Sequence, residues 1–329
     1  MSFIQNTGVV VFFVLSGFLI PYSTFSKMAK SSNYSLSSYL IDRFARIYTG
    51  LVPALFFIIV VDTIAGVVFS NQYISAFNIQ TFLGNLLMLQ DFPFQKHIID
   101  FITNIFPSSS NWFIPITSFG SARPLWVVAI MWWIYLLFGW IILGKTQREK
   151  RPVFFWLILT FLLIVPIYNL IDGRGNGLSM MWFMGFLVYL MLSRFQFNLS
   201  RRYLCILAGI CLFVGLHRLY LTDNAYDVLY VSLLALALYF ALRFFQRQEI
   251  AIPKFVSSII TFNSGFSYTL FLIHYTLLNI FSLWRGQGVL NLIIGFAISN
   301  IVAIGMYSIF ERNDMAVRYW LKNKLKVIA

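Results

Sequence analysis

The chain has 329 residues, of which 60% are hydrophobic and 11% charged, against roughly 25% charged in an ordinary soluble domain. No water-soluble core could enclose that much apolar surface. The net charge of +13 sits on Lys and Arg in short loops beside apolar runs, which reads as membrane topology and contact with membrane lipids, with no nucleic acid implied.

Stretches long enough to cross a bilayer fall near residues 8–26, 43–69, 124–143, 153–171, 179–194, 203–221, 227–246, 264–284 and 289–310. They predict an all-α, polytopic transmembrane helix bundle of about nine spans, forming a single membrane-embedded domain over residues 1–329. The segment 77–92 is shorter and amphipathic, and reads as an interfacial or re-entrant helix.

Taken in chain order, the first span holds Gly8, Ser16 and Gly17 among bulky neighbours. Small residues there permit close helix packing, and a lone serine has no activating base in its own segment. Arg43 and Arg46, three apart at the start of the second span, share a helix face. They can anchor the helix at the headgroups or grip phosphate with planar paired donors. Asp62 lies near the far end of that span, where snorkelling to water accounts for it.

Pro124 opens the third span, with Trp126 at interface depth and Tyr135 further along. Cys205 and Cys211 share one apolar run, have neither metal nor disulfide spacing, and read as small core residues. No metal site is expected. His274 lies near the middle of its span, where an ionisable group is expensive; a functional imidazole and a neutral, hydrogen-bonded one both fit. His97 and His217 belong to loops or their borders. Glu311 and Arg312 close the last span, where a helix end and lipid headgroups can satisfy both charges.

Counting Lys and Arg on alternate sides of the nine spans gives nineteen against five. The rich side, which includes the C-terminus, is expected to be cytoplasmic. That count puts the uncharged residues 1–7 outside and predicts a further helix before Met1, making the chain a ten-helix bundle without its first. A bacterial inner membrane is the expected location.

In order along the chain, FFVLSGFLI at 12–20, RFARIY at 43–48, PLW at 124–126 with YLLF at 135–138, YTLFLIH at 268–274 and FER at 310–312 resemble the acyltransferase-3 family of membrane acyltransferases. The resemblance covers essentially the whole chain. It implies an O-acyltransferase that takes an acyl group, usually acetyl, from acyl-CoA as donor substrate, with no bound cofactor. The acceptor it implies is a hydroxyl of a cell-surface or exopolysaccharide glycan, or of a lipid-linked saccharide, reached at the outer side.

Arg43 and Arg46 match the family's paired arginines, thought to contact the donor's phosphates. The family's first helix, with an arginine and the catalytic histidine about three turns later, is expected to precede Met1. Met131 and Trp132 stand where many members have a glutamate. His274 does not correspond to the usual catalytic histidine and is a candidate helper. The competing expectation is a degenerate member that binds or moves a lipid-linked glycan or acyl donor without chemistry.

Overall fold

The computed structural model describes residues 2–31, 33–69, 76–106, 114–144, 153–171, 175, 177–195, 199–246, 253–286 and 288–327, with side chains from residue 6 onward. Among these residues there is no strand. Eight helices are long and apolar enough to cross a membrane, and a ninth apolar helix, Leu178–Arg194, has 17 residues. The protein is an integral membrane protein with an all-helical, polytopic fold. Of the basic residues counted above, Lys145, Arg148, Lys150, Arg151, Arg174 and Arg247 lie outside the described residues.

The chain packs as two units, Met1–Tyr34 with Thr160–Ile252, and Ser35–Leu159 with Pro253–Ala329. The first unit contains α1 (Ser2–Lys30), most of α6 (Val153–Ile171), α7 (Leu178–Arg194), α8 (Arg201–Thr222) and α9 (Val228–Gln246). Helix α1 packs on α7, and α8 pairs with α9. The α1–α7 contact is close because glycine stands on both sides. A Cβ on Gly17 would strike the Trp182 carbonyl, and one on Gly185 would strike that of Val14. Ser16 is buried on α1.

Short turns in this unit are tied by side chains. Asn169 Oδ1 accepts from the Ser179 amide at 2.9 Å and its hydroxyl at 3.1 Å. The α8–α9 turn is closed by Arg218, whose Nε and Nη2 donate to the two oxygens of Asp227 at 3.2 and 3.0 Å. These bonds hold the Asp227 carboxyl below the usual carboxylate range. Cys211 is buried as expected, but Cys205 is exposed, in an open apolar groove lined by α1, α8 and α9. In a bilayer such a surface faces lipid and suits a weakly polar thiol.

The second unit is built on α2 (Leu36–Phe69), against which α5 (Leu125–Leu143), α10 (Lys254–Arg285) and α12 (Asp314–Lys324) pack; α11 (Val289–Ile309) packs on α10. Hydropathy placed the starts of α2 and α10 too late, because it follows apolar content and both helices continue past the apolar stretch. Their 34 and 32 residues rise about 50 Å each, beyond the roughly 30 Å hydrocarbon core. Arg43 therefore lies two turns inside α2 instead of at its start.

The segment expected at 77–92 holds a short helix α3 (Ile79–Leu86), capped by Asn78 through a 2.8 Å bond to the Thr81 amide. Its 8 residues rise about 12 Å, too little to cross. An 11-residue helix α4 (Gln95–Ile105) follows. The connection back to α5 is fixed by side-chain bonds to backbone. Asn85 Nδ2 donates to the Thr117 carbonyl at 2.7 Å, its Oδ1 accepts from the Phe119 amide at 3.1 Å, and Gln95 bonds both backbone groups of Ile116 at 2.8 and 3.1 Å.

Asp62 does not snorkel. It is 1% exposed and receives the Ser121 amide at 2.8 Å and the Ser121 hydroxyl at 2.7 Å. A hydroxyl carries one proton, so Ser121 Oγ accepts in turn from Thr276, 2.9 Å away on α10. Gly120 makes the approach possible, since at φ +57° a Cβ there would strike the Asp62 carboxylate. The reason Asp62 stays inside is that the returning loop brings it two donors.

Asp62→Ala should leave the Ser121 amide without its acceptor, at a cost of about 1–3 kcal/mol. Amide exchange over residues 114–124 should accelerate in the variant while α8 and α9 keep their protection. Unchanged exchange in that loop would show that Asp62 does not hold it.

Candidate functional site

At the basic end of the second unit, four sequence runs that are far apart along the chain meet. The first is Tyr39 to Tyr48 on α2. Tyr39 is fully buried and its hydroxyl donates to the Tyr135 carbonyl on α5 at 3.1 Å. Gly139, one turn beyond Tyr135, leaves the space its ring fills. One turn along α2, the Arg43 guanidinium lies over that ring, 5.6 Å from its centre. Helix α5 thus fixes Tyr39, and Tyr39 supports Arg43.

Arg46 has a different environment. Its Nη1 is 2.7 Å from Glu311 Oε1, and the Glu311 side chain is fully enclosed. Thr269 of α10 donates to the other carboxylate oxygen at 2.5 Å. Tyr268, the neighbouring residue, donates to the Ile47 carbonyl at 3.2 Å, and its ring occupies the space opposite Gly50. Glu311 opens the 3-10 turn Glu311–Asn313 that ends α11. The expectation that headgroups satisfy this carboxylate is therefore corrected, because the turn carries it inward to an arginine and a threonine.

A second ion pair stands beside the first. Lys322 of α12 reaches Asp42, 2% exposed, at 3.3 Å, and Arg318 pairs with Asp314 one turn away. Within this group, Arg46, Arg318 and Lys322 each have a carboxylate. Arg43 has none among the described residues, and its Nε is buried without a hydrogen-bond partner. The two arginines of RFARIY share a face, yet one is neutralised by a buried acid and the other carries an open charge.

The aromatic residues of the same run also have work to do in packing. Phe44 stacks on Tyr48 with ring centres 4.2 Å apart, and Tyr48 meets the edge of Trp132 at 5.6 Å and donates to the Leu86 carbonyl at 2.9 Å. Trp132, where a glutamate was looked for, is thus part of an aromatic contact with α2. Trp126 is half-buried in the first turn of α5, and Tyr135 is buried.

His274 is half-buried on α10, and its Nδ1 lies 3.1 and 2.9 Å from the Leu270 and Phe271 carbonyls. A carbonyl only accepts, so Nδ1 carries a proton, and in the neutral form of the ring the lone pair is on Nε2. Five residues separate it from Thr269, about 7 Å along the helix. Two residues further on, Thr276 enters the Asp62–Ser121 network. His97 and His217 are exposed. Among the described residues no three His, Cys, Asp or Glu side chains are grouped as metal ligands.

Of the residues singled out in the sequence, the structure brings Arg43, Arg46, Tyr135 and Glu311 together and places His274 on the same α10 that supplies Thr269. Ser16 and Gly17 belong to the first unit, at the α1–α7 contact. Two contributors, Tyr39 and Thr269, escaped notice, while Asp42 heads the polar run 42–48 that holds both arginines. Tyr39 stands four residues before Arg43, a spacing that could have been read. Nothing in the sequence pairs Thr269 with Glu311 or Asp42 with Lys322, since those contacts join distant segments.

Neither a curated protein nor a solved structure matches the chain significantly. The acyltransferase-3 family model, described as an acyltransferase domain, matches residues 1–308. That match takes in all of the first four runs that carry the resemblance and stops just before FER, whose glutamate completes the Arg46 pair. With nearly the whole chain covered, and with its RFARIY, YLLF, YTLFLIH and FER runs meeting at one end of the second unit, the protein belongs to the acyltransferase-3 family of membrane acyltransferases.

Proposed function

We propose that the protein is a membrane O-acyltransferase that moves an acyl group, most simply acetyl, from acyl-CoA to a hydroxyl of a cell-envelope glycan or lipid-linked saccharide. The basic end of the second unit faces the cytoplasm, where the donor is found, in a bacterial inner membrane. The observation that carries this reading is the asymmetry of the arginine pair. Arg43, seated on a buried tyrosine and lacking a carboxylate, is ready to donate to a phosphate of the donor. Arg46, held by Glu311, keeps that turn of α2 in place.

Transfer breaks the thioester C–S bond and forms an ester C–O bond. The acceptor hydroxyl loses its proton and the coenzyme A sulfur gains one. An imidazole that donates through Nδ1 and is basic at Nε2 can accept the hydroxyl proton and pass it on. His274 has that form, and we assign it as a helper in proton transfer. A second reading, donor or glycan binding without chemistry, is favoured by Trp132, which fills a position where an acid was expected with an aromatic contact.

Replacing Arg43 with Gln should weaken acetyl-CoA binding about 10-fold or more, the worth of one charge-assisted bond, without lowering thermal stability. Isothermal titration on protein in nanodiscs measures the affinity and a thermal melt the stability, and an unchanged dissociation constant would remove Arg43 from the donor site. His274→Ala should leave that affinity intact and lower the rate of radiolabelled acetyl transfer to envelope glycan by about 100-fold. Transfer by the wild type excludes the binding-only reading, while donor binding without any transfer would support it.

A further inference from the structure

Helix α12 turns the wrong side outward for a helix in water. Its charged residues Asp314, Arg318 and Lys322 are half-buried and engaged, Lys322 with Asp42 at 3.3 Å. Its outer face presents Met315 at 73%, Tyr319 at 70% and Trp320 at 56% exposure, continued by Leu325 at 61%. Water would penalise that arrangement, since each of these large apolar surfaces would stay uncovered.

The position of the helix indicates what covers it. The 21 residues of α11 rise about 31 Å, enough to cross the hydrocarbon unaided. The chain therefore leaves the apolar layer near Phe310, and the 3-10 turn Glu311–Asn313 leads it into α12 at the membrane boundary. Around the aromatic face, Arg312, Lys324 and Lys326 are exposed, with the Lys324 ammonium 4.9 Å from the centre of the Trp320 ring. From residue 312 to residue 327 the single acidic residue is Asp314, which is occupied by Arg318. Aromatic rings and methionine facing outward, ringed by cations, match a headgroup layer that is apolar below and anionic above.

We propose that α12 is an interfacial helix that binds anionic phospholipid at the basic end of the protein, with Met315, Tyr319 and Trp320 among the upper acyl carbons and Arg312, Lys324 and Lys326 on lipid phosphates. The charged inner side stays on α2 through Lys322 and Asp42. Lipid therefore covers the face that the protein leaves open.

The test uses the full chain in nanodiscs of phosphatidylcholine alone or mixed with phosphatidylglycerol. Phospholipid brominated near the headgroup should quench the part of the tryptophan emission that disappears in Trp320→Phe. Amide exchange in α12 should slow about tenfold or more in the anionic discs. The triple variant Arg312→Gln, Lys324→Gln, Lys326→Gln should lose that lipid dependence while α2 and α10 keep their protection. No quenching of the Trp320 signal, or equal α12 exchange in both discs, overturns the proposal. Protection that follows protein concentration instead of lipid charge also overturns it and assigns the face to a second copy of the chain.

Discussion

A carboxylate enclosed at the end of a membrane span is the constraint on which the second unit depends. Glu311 has no exposed side-chain surface, and a lone ionised group in such a place would cost several kcal/mol. Arg46 at 2.7 Å and Thr269 at 2.5 Å make it tolerable. Because these partners sit on α2 and α10 while Glu311 opens the turn after α11, one carboxylate fixes three segments at once. Lys322 and Asp42 add the fourth, α12, within one turn of Arg46.

The same interaction gives the two arginines different environments. Arg46 is occupied by an internal anion and is positioned from inside the protein. Arg43, one turn earlier, is backed by Tyr39, and Tyr39 is backed by α5 through the Tyr135 carbonyl. An open guanidinium on a fixed support is a better receptor for an external phosphate than one that must first leave a buried acid. Two turns along α10 from Thr269, Thr276 joins Ser121 and Asp62 in a second polar network, with His274 between the two threonines. The middle of the helix thus carries two buried threonines seven positions apart, with the half-buried imidazole between them.

Hydropathy alone located the nine apolar helices found among the described residues, because each apolar stretch is long and the intervening loops are polar. It missed the extensions of α2 and α10 and the short α4, since those segments mix apolar residues with polar and charged ones and hold no long apolar run. The family words predicted the participants Arg43, Arg46 and Glu311 and left their partners unknown. Glu311 and Asp62 were both read as boundary charges, as their positions near span ends suggest. What reverses that reading is tertiary: a 3-10 turn that points Glu311 inward, and a loop that returns Ser121 to Asp62. Neither contact leaves a local signature, because each joins residues dozens of positions apart or more.

Glu311 and Arg46 act as one unit in holding these segments together. A double-mutant cycle with Arg46→Gln, Glu311→Gln and the pair, followed by reversible unfolding in a bilayer-mimetic detergent, measures that coupling most directly. Arg46→Gln, which strands the enclosed carboxylate, should be destabilised by about 3–5 kcal/mol, Glu311→Gln by less because Arg46 is 40% exposed, and the double by clearly less than their sum, because removing both charges leaves no unpaired ion. Additive losses would contradict the account, since they would mean that the two side chains contribute independently.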